Sequence, residues 1–343
     1  MDSLKLTNTF LFIIVLFIIG VILKLAKEVF IALFLAMLLA YLMDPFVALF
    51  KKRLHLPLWL AVALTSVIFL GMFFGLGVII YKSILQFSSR FPAYQNRLVV
   101  MLEKLFSNIE VVTNGNLKLN IFESLKSLPV ASTALSITRS LFSAIVQFVM
   151  ISFFAILIVY GKYRFIRKLF RVFSSKAEKK IPRILYRIDR EIRKYIGVKT
   201  LICVVIGILT AVILSVYKLE FAIAFGFVGF ILTYIPTVGP ITAIAIPTLI
   251  SLSQFGFTVT PLWILSSLAF LHIFIGSLIE PKLMGDTMNL TFLVVFISLL
   301  FWGWMWGAPG VLLAVPMTTS VKIVFENFSF GFSFAKLIER ERR

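Results

Sequence analysis

Five stretches of the chain, residues 9–26, 29–49, 58–81, 139–161 and 196–217, are each apolar over a length close to or above the roughly 20 residues that a helix needs to cross hydrocarbon. A sixth covers about 258–280. No other feature constrains the fold as much. In a bilayer each backbone N–H and C=O must be paired within the spanning structure, and long runs without period-two alternation satisfy this as helices. The expected class is an all-α polytopic membrane protein. It should have about six full transmembrane helices and two interrupted-helix hairpins, giving eight to ten membrane segments, with one small extramembrane helical region. Composition agrees: 60% of residues are hydrophobic, 14% are charged and the mean hydropathy is +1.04. Soluble domains average about 45–50% and 25% for the first two quantities. The run from Phe10 to Leu23 lacks a basic leader and a small-x-small cleavage site, so it reads as a retained first span.

Several chemistries are excluded early. Cys203 is the only cysteine, which rules out an intramolecular disulfide, and its apolar surroundings suit a small packed residue. His55 and His272 are far apart and have no cysteines at ligand spacing, so no metal site is expected. "GLG" at 75–77 lies within a span and follows no strand, and no Walker motif occurs; the chain is expected to use no cofactor. His272 has no acidic residue three or four positions away and Ser277 no adjacent base, so an enzyme is not expected.

The formal net charge is +19, which in a soluble chain would suggest nucleic acid. Its location gives another reading. Residues 162–199 hold 14 Lys or Arg against 3 Asp or Glu, and "KKRLH" at 51–55 is also basic. Basic loops stay cytoplasmic, and both loops can do so only if the N-terminus is cytoplasmic too, with 82–138 outside. No nucleic-acid partner is needed. Within the basic region Ile181, Ile184, Leu185, Ile188, Ile192 and Tyr195 form an apolar stripe, with Arg183, Arg187, Arg190 and Lys194 on other faces. Such a helix either lies among anionic headgroups or packs on the bundle. Residues 82–138 carry Leu98, Leu102, Leu105 and Ile109 at helical spacing, then the turn signal "TNGN" at 113–116.

Beyond residue 217 the runs are broken. Residues 220–254 are two apolar pieces joined by Tyr234-Ile-Pro-Thr-Val-Gly-Pro240, and 291–325 are two pieces joined at Gly307-Ala-Pro-Gly310. Proline removes a donor and glycine loosens the backbone, so each junction breaks a helix. Each is a tight pair of spans or a re-entrant hairpin; both return the chain to its starting side. The segments also match at an offset of 69 residues: Phe227 with Phe296, Pro240 with Pro309, Ala245 with Ala314 and Pro247 with Pro316. With one span between them the hairpins enter from opposite sides, an inverted pair of the kind that builds midplane sites in transporters.

"YIPTVGPITAIAIPTLISL", then "IEPKLMGDTMNLTFLVVFISLLFWGWMWGAPGVLLAVPMTTSVKI", resembles the autoinducer-2 exporter family of bacterial inner-membrane proteins. The matching features, in order, are Pro-x-x-Gly-Pro with a second proline seven residues on, Glu-Pro-x-x-x-Gly, Trp-Gly-x-x-x-Gly and Ala-Val-Pro. The likeness covers roughly residues 1–330 and is strongest after 196. "MNLTFLVVFISLLFWGWMWG" is similar to the subgroup associated with autoinducer-2 itself, although many members carry a serine-proline near Thr291-Phe292 that this chain lacks. Other members are associated with sodium or lithium exchange for protons, so the resemblance leaves the substrate open.

The resemblance implies a substrate or ion path at Tyr234, Pro236, Thr237, Gly239, Pro240, Glu280, Lys282, Asp286, Asn289, Gly307 and Gly310. Glu280 with Lys282 reads as an ordinary cytoplasmic turn or as a gate and its charge partner; a charge near the bilayer centre costs on the order of 2.5–3.5 kcal/mol, and one kept there marks a pathway. The Thr237 hydroxyl and carbonyls freed around Pro236, Gly239 and Pro240 would receive a polyhydroxylated solute or a cation, or else form only a tight turn. Asp44-Pro45 reads as a helix terminus, and Asp189 and Glu191 as pairing partners of nearby bases.

The expected organisation is a three-span unit at 1–81, an extracytoplasmic helical region at 82–138, a fourth span at 139–161, a basic cytoplasmic region at 162–195, a transport core at 196–326 and a cytoplasmic tail at 327–343. The leading function is a secondary transporter exporting a small polar solute, autoinducer-2 first. Its partners are that solute, protons or sodium, and anionic lipid at the basic region; a homo-oligomer is compatible with it. Sodium or lithium antiport is the alternative within the family, and a non-transporting scaffold the alternative from another class.

Overall fold

The apolar runs fold as helices, and several continue well past their apolar limits. The structure, a computed structural model, describes residues 2–107, 130–172, 180–236, 238–284 and 290–327, with only part of the side chains in the first, third, fourth, fifth and tenth helices. The helices are α1 (Asp2–Leu25), α2 (Lys27–Arg53), α3 (Leu58–Ser107), α4 (Val130–Val172), α5 (Lys180–Val216), α6 (Ala222–Leu232) and α7 (Val238–Phe255). They are followed by α8 (Val259–Phe274), a π-helical turn (Ile275–Ile279), α9 (Glu280–Met284), α10 (Phe292–Trp306) and α11 (Ala308–Glu326). Seven segments among the described residues are long and apolar enough to cross a membrane: Lys27–Arg53, Leu58–Arg90, Ser143–Lys162, Ile181–Val216, Val238–Phe255, Val259–Met284 and Ala308–Glu326. Ala222–Leu232 and Leu293–Trp306 are shorter apolar helices. The chain is an all-α polytopic membrane protein.

Each hairpin pairs unequal arms. With 11 residues α6 reaches about 16 Å, roughly half of a 30 Å hydrocarbon layer, whereas α7 with 18 reaches about 27 Å. At 50 residues α3 extends about 75 Å, so much of it must leave the hydrocarbon. The basic amphipathic stripe and the fifth span form one helix, α5. Along it Ile192 and Tyr195 are buried, whereas Ile181 and Leu185 stay exposed.

The chain divides into two compact units, Met1–Val67 with Val149–Gly197 and Asp286–Arg343, and Ile68–Phe148 with Val198–Gly285. In the first, Leu299, Trp302, Met305 and Trp306 of α10 pack on Leu313, Ala314 and Met317 of α11, with Phe30, Phe34 and Leu38 of α2 against them. Trp306 Nε1 also donates to the Leu23 carbonyl at 3.0 Å, so the indole pairs its one polar atom inside an apolar core.

In the second unit Ile202 and Ile206 of α5 meet Leu271 and Ile275, and nearer the far end Leu214, Leu219 and Ala222 meet Ile264 and Leu268. Helices α5 and α6 cross at small residues: a Cβ on Gly226 would lie 2.6 Å from the Gly207 carbonyl oxygen and from Ala211 Cβ. Small residues allow this backbone approach, which drives helix association where lipid is as apolar as the side chains.

One expectation fails here. Asp44-Pro45 does not end a helix, because α2 runs through Pro45 to Arg53. The helix loses the bond that Pro45 cannot donate, but Val47 beyond it is buried and Asp44 is held by two cations.

Candidate functional site

In the second unit Glu280 meets a basic residue from the far end of the basic region. Lys199 Nζ donates to Glu280 Oε1 at 2.6 Å, and the lysine side chain is only 5% exposed. The local cause is the π-helical turn. The Glu280 N–H bonds the Ile275 carbonyl, five residues back, so one extra residue is taken up before Glu280. Relative to an unbroken α-helix through the same residues, this turns Glu280 by about 100°, which sets where the carboxylate points. The expected pairing with Lys282 does not form: Lys282 lies exposed on α9, two positions past Glu280 and so on a different helix face.

The first hairpin is tied to the same stretch of α5. Tyr234 OH donates to Thr200 Oγ1 at 2.7 Å, one residue from Lys199. The turn between α6 and α7 largely satisfies itself. Ile235 N–H bonds the Leu232 carbonyl at 2.8 Å, Val238 N–H the Pro236 carbonyl at 2.7 Å, and Gly239 N–H the Ile235 carbonyl at 3.1 Å. The expectation of a freed Pro236 carbonyl is therefore corrected. Gly239 and Pro240 fall in the first turn of α7, where a helix leaves N–H groups unpaired and takes carbonyls into its ladder. Thr237, Asp286 and Asn289 lie outside the described residues.

Both hairpins depend on a glycine at the closest approach of their arms. A Cβ on Gly239 would sit 1.8 Å from the Leu232 carbonyl oxygen, and one on Gly310 would sit 2.0 Å from that of Trp302. In the second hairpin Gly307 joins α10 to α11 in a single residue at φ +68°, a conformation glycine adopts without strain. The repeated prolines keep their roles. Pro240 and Pro309 stand in the first turns of α7 and α11, and Pro247 and Pro316 are buried further along the same helices.

The first unit holds a charge network that the sequence reading missed. Asp44 of α2 accepts from Lys162 of α4 and from Arg193 of α5, the latter at 2.8 Å. Arg193 also bridges to Asp189 at 3.2 Å, and Tyr41 OH donates to Asp189 at 2.7 Å. The guanidinium lies 5.3 Å from the Tyr41 ring centroid. Two carboxylates and two cations from three helices balance each other. Asp189 was expected to pair along its helix, and it does so with Arg193. The only signal in sequence for the rest was Asp44 itself, an acid in an apolar run.

Among known proteins, the family model described as "AI-2E family transporter" matches residues 11–330. The chain belongs to that family. A Haemophilus influenzae protein named "Putative transport protein" is 28% identical over 336 residues, covering 95% of this chain and 94% of its own length. The Escherichia coli K12 protein named "AI-2 transport protein TqsA" is 26% identical over 321 residues, covering 92% and 90%. A Borreliella burgdorferi protein with the Haemophilus protein's name is 26% identical over 324 residues, covering 94% and 88%. The resemblance read from the hairpin motifs therefore holds over nearly the whole chain. These names describe transporters, which are not a class of enzymes. A bacterial transporter family and this series of apolar helices make the chain a multi-pass inner-membrane protein.

Proposed function

We propose that this chain is a secondary transporter that exports a small polar solute, autoinducer-2 or a related signal molecule, and so serves quorum sensing. The observation that carries the reading is the Lys199–Glu280 pair, two charges held within membrane-crossing helices of a family transporter. Ionisable groups are expensive at that depth, and chains keep them where a polar substrate or ion passes. The AI-2 transport named for the Escherichia coli relative supports the choice of solute.

Glu280 acts as the gate or as the proton-sensitive group, with Lys199 as its partner. Tyr234, Pro236, Thr237, Gly239 and Pro240 shape the path at the first hairpin, with Lys282, Asp286 and Asn289 as further path residues. Gly307 and Gly310 do for the second hairpin what Gly239 does for the first. Protons or sodium supply the driving force. Both termini are cytoplasmic, residues 82–138 are outside, and the exposed Arg183, Arg187, Arg190 and Lys194 meet anionic headgroups.

The test is transport by purified protein in proteoliposomes. Saturable movement of labelled autoinducer-2, lost in Glu280→Gln, supports export. Sodium-driven proton movement with no movement of the signal molecule replaces it with antiport. Neither activity would leave a scaffold.

A further inference from the structure

Helices α5 and α8 run antiparallel, and two contacts fix their register: Lys199 with Glu280 at 2.6 Å, and Tyr217 OH with Ser267 Oγ at 3.3 Å. Residues 199 to 217 of a helix cover about 27 Å, close to the thickness of the hydrocarbon layer. Interpolating between the two contacts puts Thr210 level with His272. Along α5 and the turn that follows it, Lys199, Cys203, Ile206, Thr210 and Tyr217 keep the three- and four-residue spacing of one helix face. On the opposing helix, His272 and Glu280 are eight residues apart, which an uninterrupted α-helix would splay by about 80°. The extra residue of the π-helical turn brings them to within about 20° of each other. Thr210 and His272 thus occupy facing stripes, between a polar contact at each end.

Both are sealed from solvent: Thr210 is 0% and His272 5% exposed. Yet Thr210 Oγ1 and both imidazole nitrogens of His272 have no hydrogen-bond partner among the described residues. Other buried threonines avoid this. Thr65, Thr233 and Thr319 each donate to the carbonyl four residues back. Thr210 does not, and Gly229 across from it leaves its hydroxyl room, since even a Cβ there would lie 3.8 Å from Oγ1. A buried polar group left unpaired is costly, so three such atoms at one level need an explanation.

We propose that Thr210 and His272 form a hydroxyl-binding site at mid-depth in the second unit. A neutral imidazole offers one donor and one acceptor, and threonine offers a donor and two lone pairs; together they complement a group that both donates and accepts. The bound hydroxyl belongs to water or to a hydroxyl-bearing solute; the second source rests on the export reading. The site continues the polar stripe from Glu280 and Lys199 towards Tyr217 and Ser267.

Two measurements test this. Thr210→Cys, in a Cys203→Ala background, is exposed in proteoliposomes to aminoethyl methanethiosulfonate, with the equally buried Leu214→Cys as control. Labelling of the Thr210→Cys variant but not of the control supports the site. Slowing of that labelling by autoinducer-2 assigns the hydroxyl to the solute, and no slowing assigns it to water. A silent Thr210→Cys overturns the proposal, whatever the transport results. Separately, the near-isosteric Thr210→Val, with His272→Phe beside it, is assayed for autoinducer-2 transport. A solute site predicts a five- to tenfold higher KM at unchanged folded yield, about what one lost hydrogen bond gives; a water site leaves KM alone. If the parent protein moves no autoinducer-2, the export reading fails and the labelling still decides the site.

Discussion

Lys199 Nζ lies 2.6 Å from Glu280 Oε1, joining residues 81 positions apart inside the membrane-crossing part of the second unit. The lysine is nearly sealed and the carboxylate is 22% exposed, so the two partners are not equivalent. Glu280→Gln strands a buried ammonium, which should cost about 3–5 kcal/mol. Lys199→Met should cost less, because the carboxylate it leaves can still reach water. The double variant Lys199→Met/Glu280→Gln should recover most of the melting temperature in detergent but not transport. A single Glu280→Gln that melts and transports like the parent across pH would remove Glu280 from the mechanism.

Gly276 lies within the π-helical turn with open space around the position a Cβ would take. Gly276→Ala should therefore be nearly silent. Deleting Gly276 should remove the extra residue and leave a continuous α-helix in which Glu280 stands seven positions after His272, so the carboxylate keeps its direction towards Lys199. The deletion is therefore expected to retain the pair and most of the transport, with an intact membrane-inserted fraction. Loss of transport at normal insertion would mean that the turn does more than take up one residue.

The hairpin glycines should behave as packing requirements. With carbonyl oxygens 1.8 and 2.0 Å from the added atom, Gly239→Ala and Gly310→Ala force the helix arms apart. Each should cost about 3 kcal/mol or more, at the upper end for overpacking. Gly303→Ala meets only the Val311 Cγ2 methyl, at 2.8 Å, and should cost less. Melting temperatures of the three variants check the order; equal values would show that the arms separate freely.

Asp44 should be the least replaceable member of the charge network, since its carboxylate pairs with both Lys162 and Arg193. Asp44→Asn is expected to lose about 3–5 kcal/mol. Tyr41→Phe removes a single hydrogen bond to Asp189 and should lose about 1 kcal/mol. Thermal unfolding in detergent measures both, and the reverse order would contradict the network as drawn.

Tyr186 is 58% exposed on the basic part of α5. In a Cys203→Ala background, Tyr186→Cys should resist an impermeant thiol reagent on intact cells and react once the cells are permeabilised. Prompt labelling of intact cells would invert the proposed orientation.

The class, the runs that become helices and the places where those runs break are all local properties of the chain. Run length, proline and glycine act within a few residues of where they stand. The prolines repeated at a 69-residue offset land in matching places of α7 and α11 for the same local reason. Tertiary structure decided which charges meet. Lys282 was the nearest base to Glu280 in sequence, yet one extra residue in a π-helical turn and the antiparallel register of α5 gave the carboxylate to Lys199 instead. Asp44 looked like the end of a helix because its partners, Lys162 and Arg193, arrive from helices more than a hundred residues away. Helix phase and register set such pairings. They come from packing whole helices, and no short window of sequence contains them.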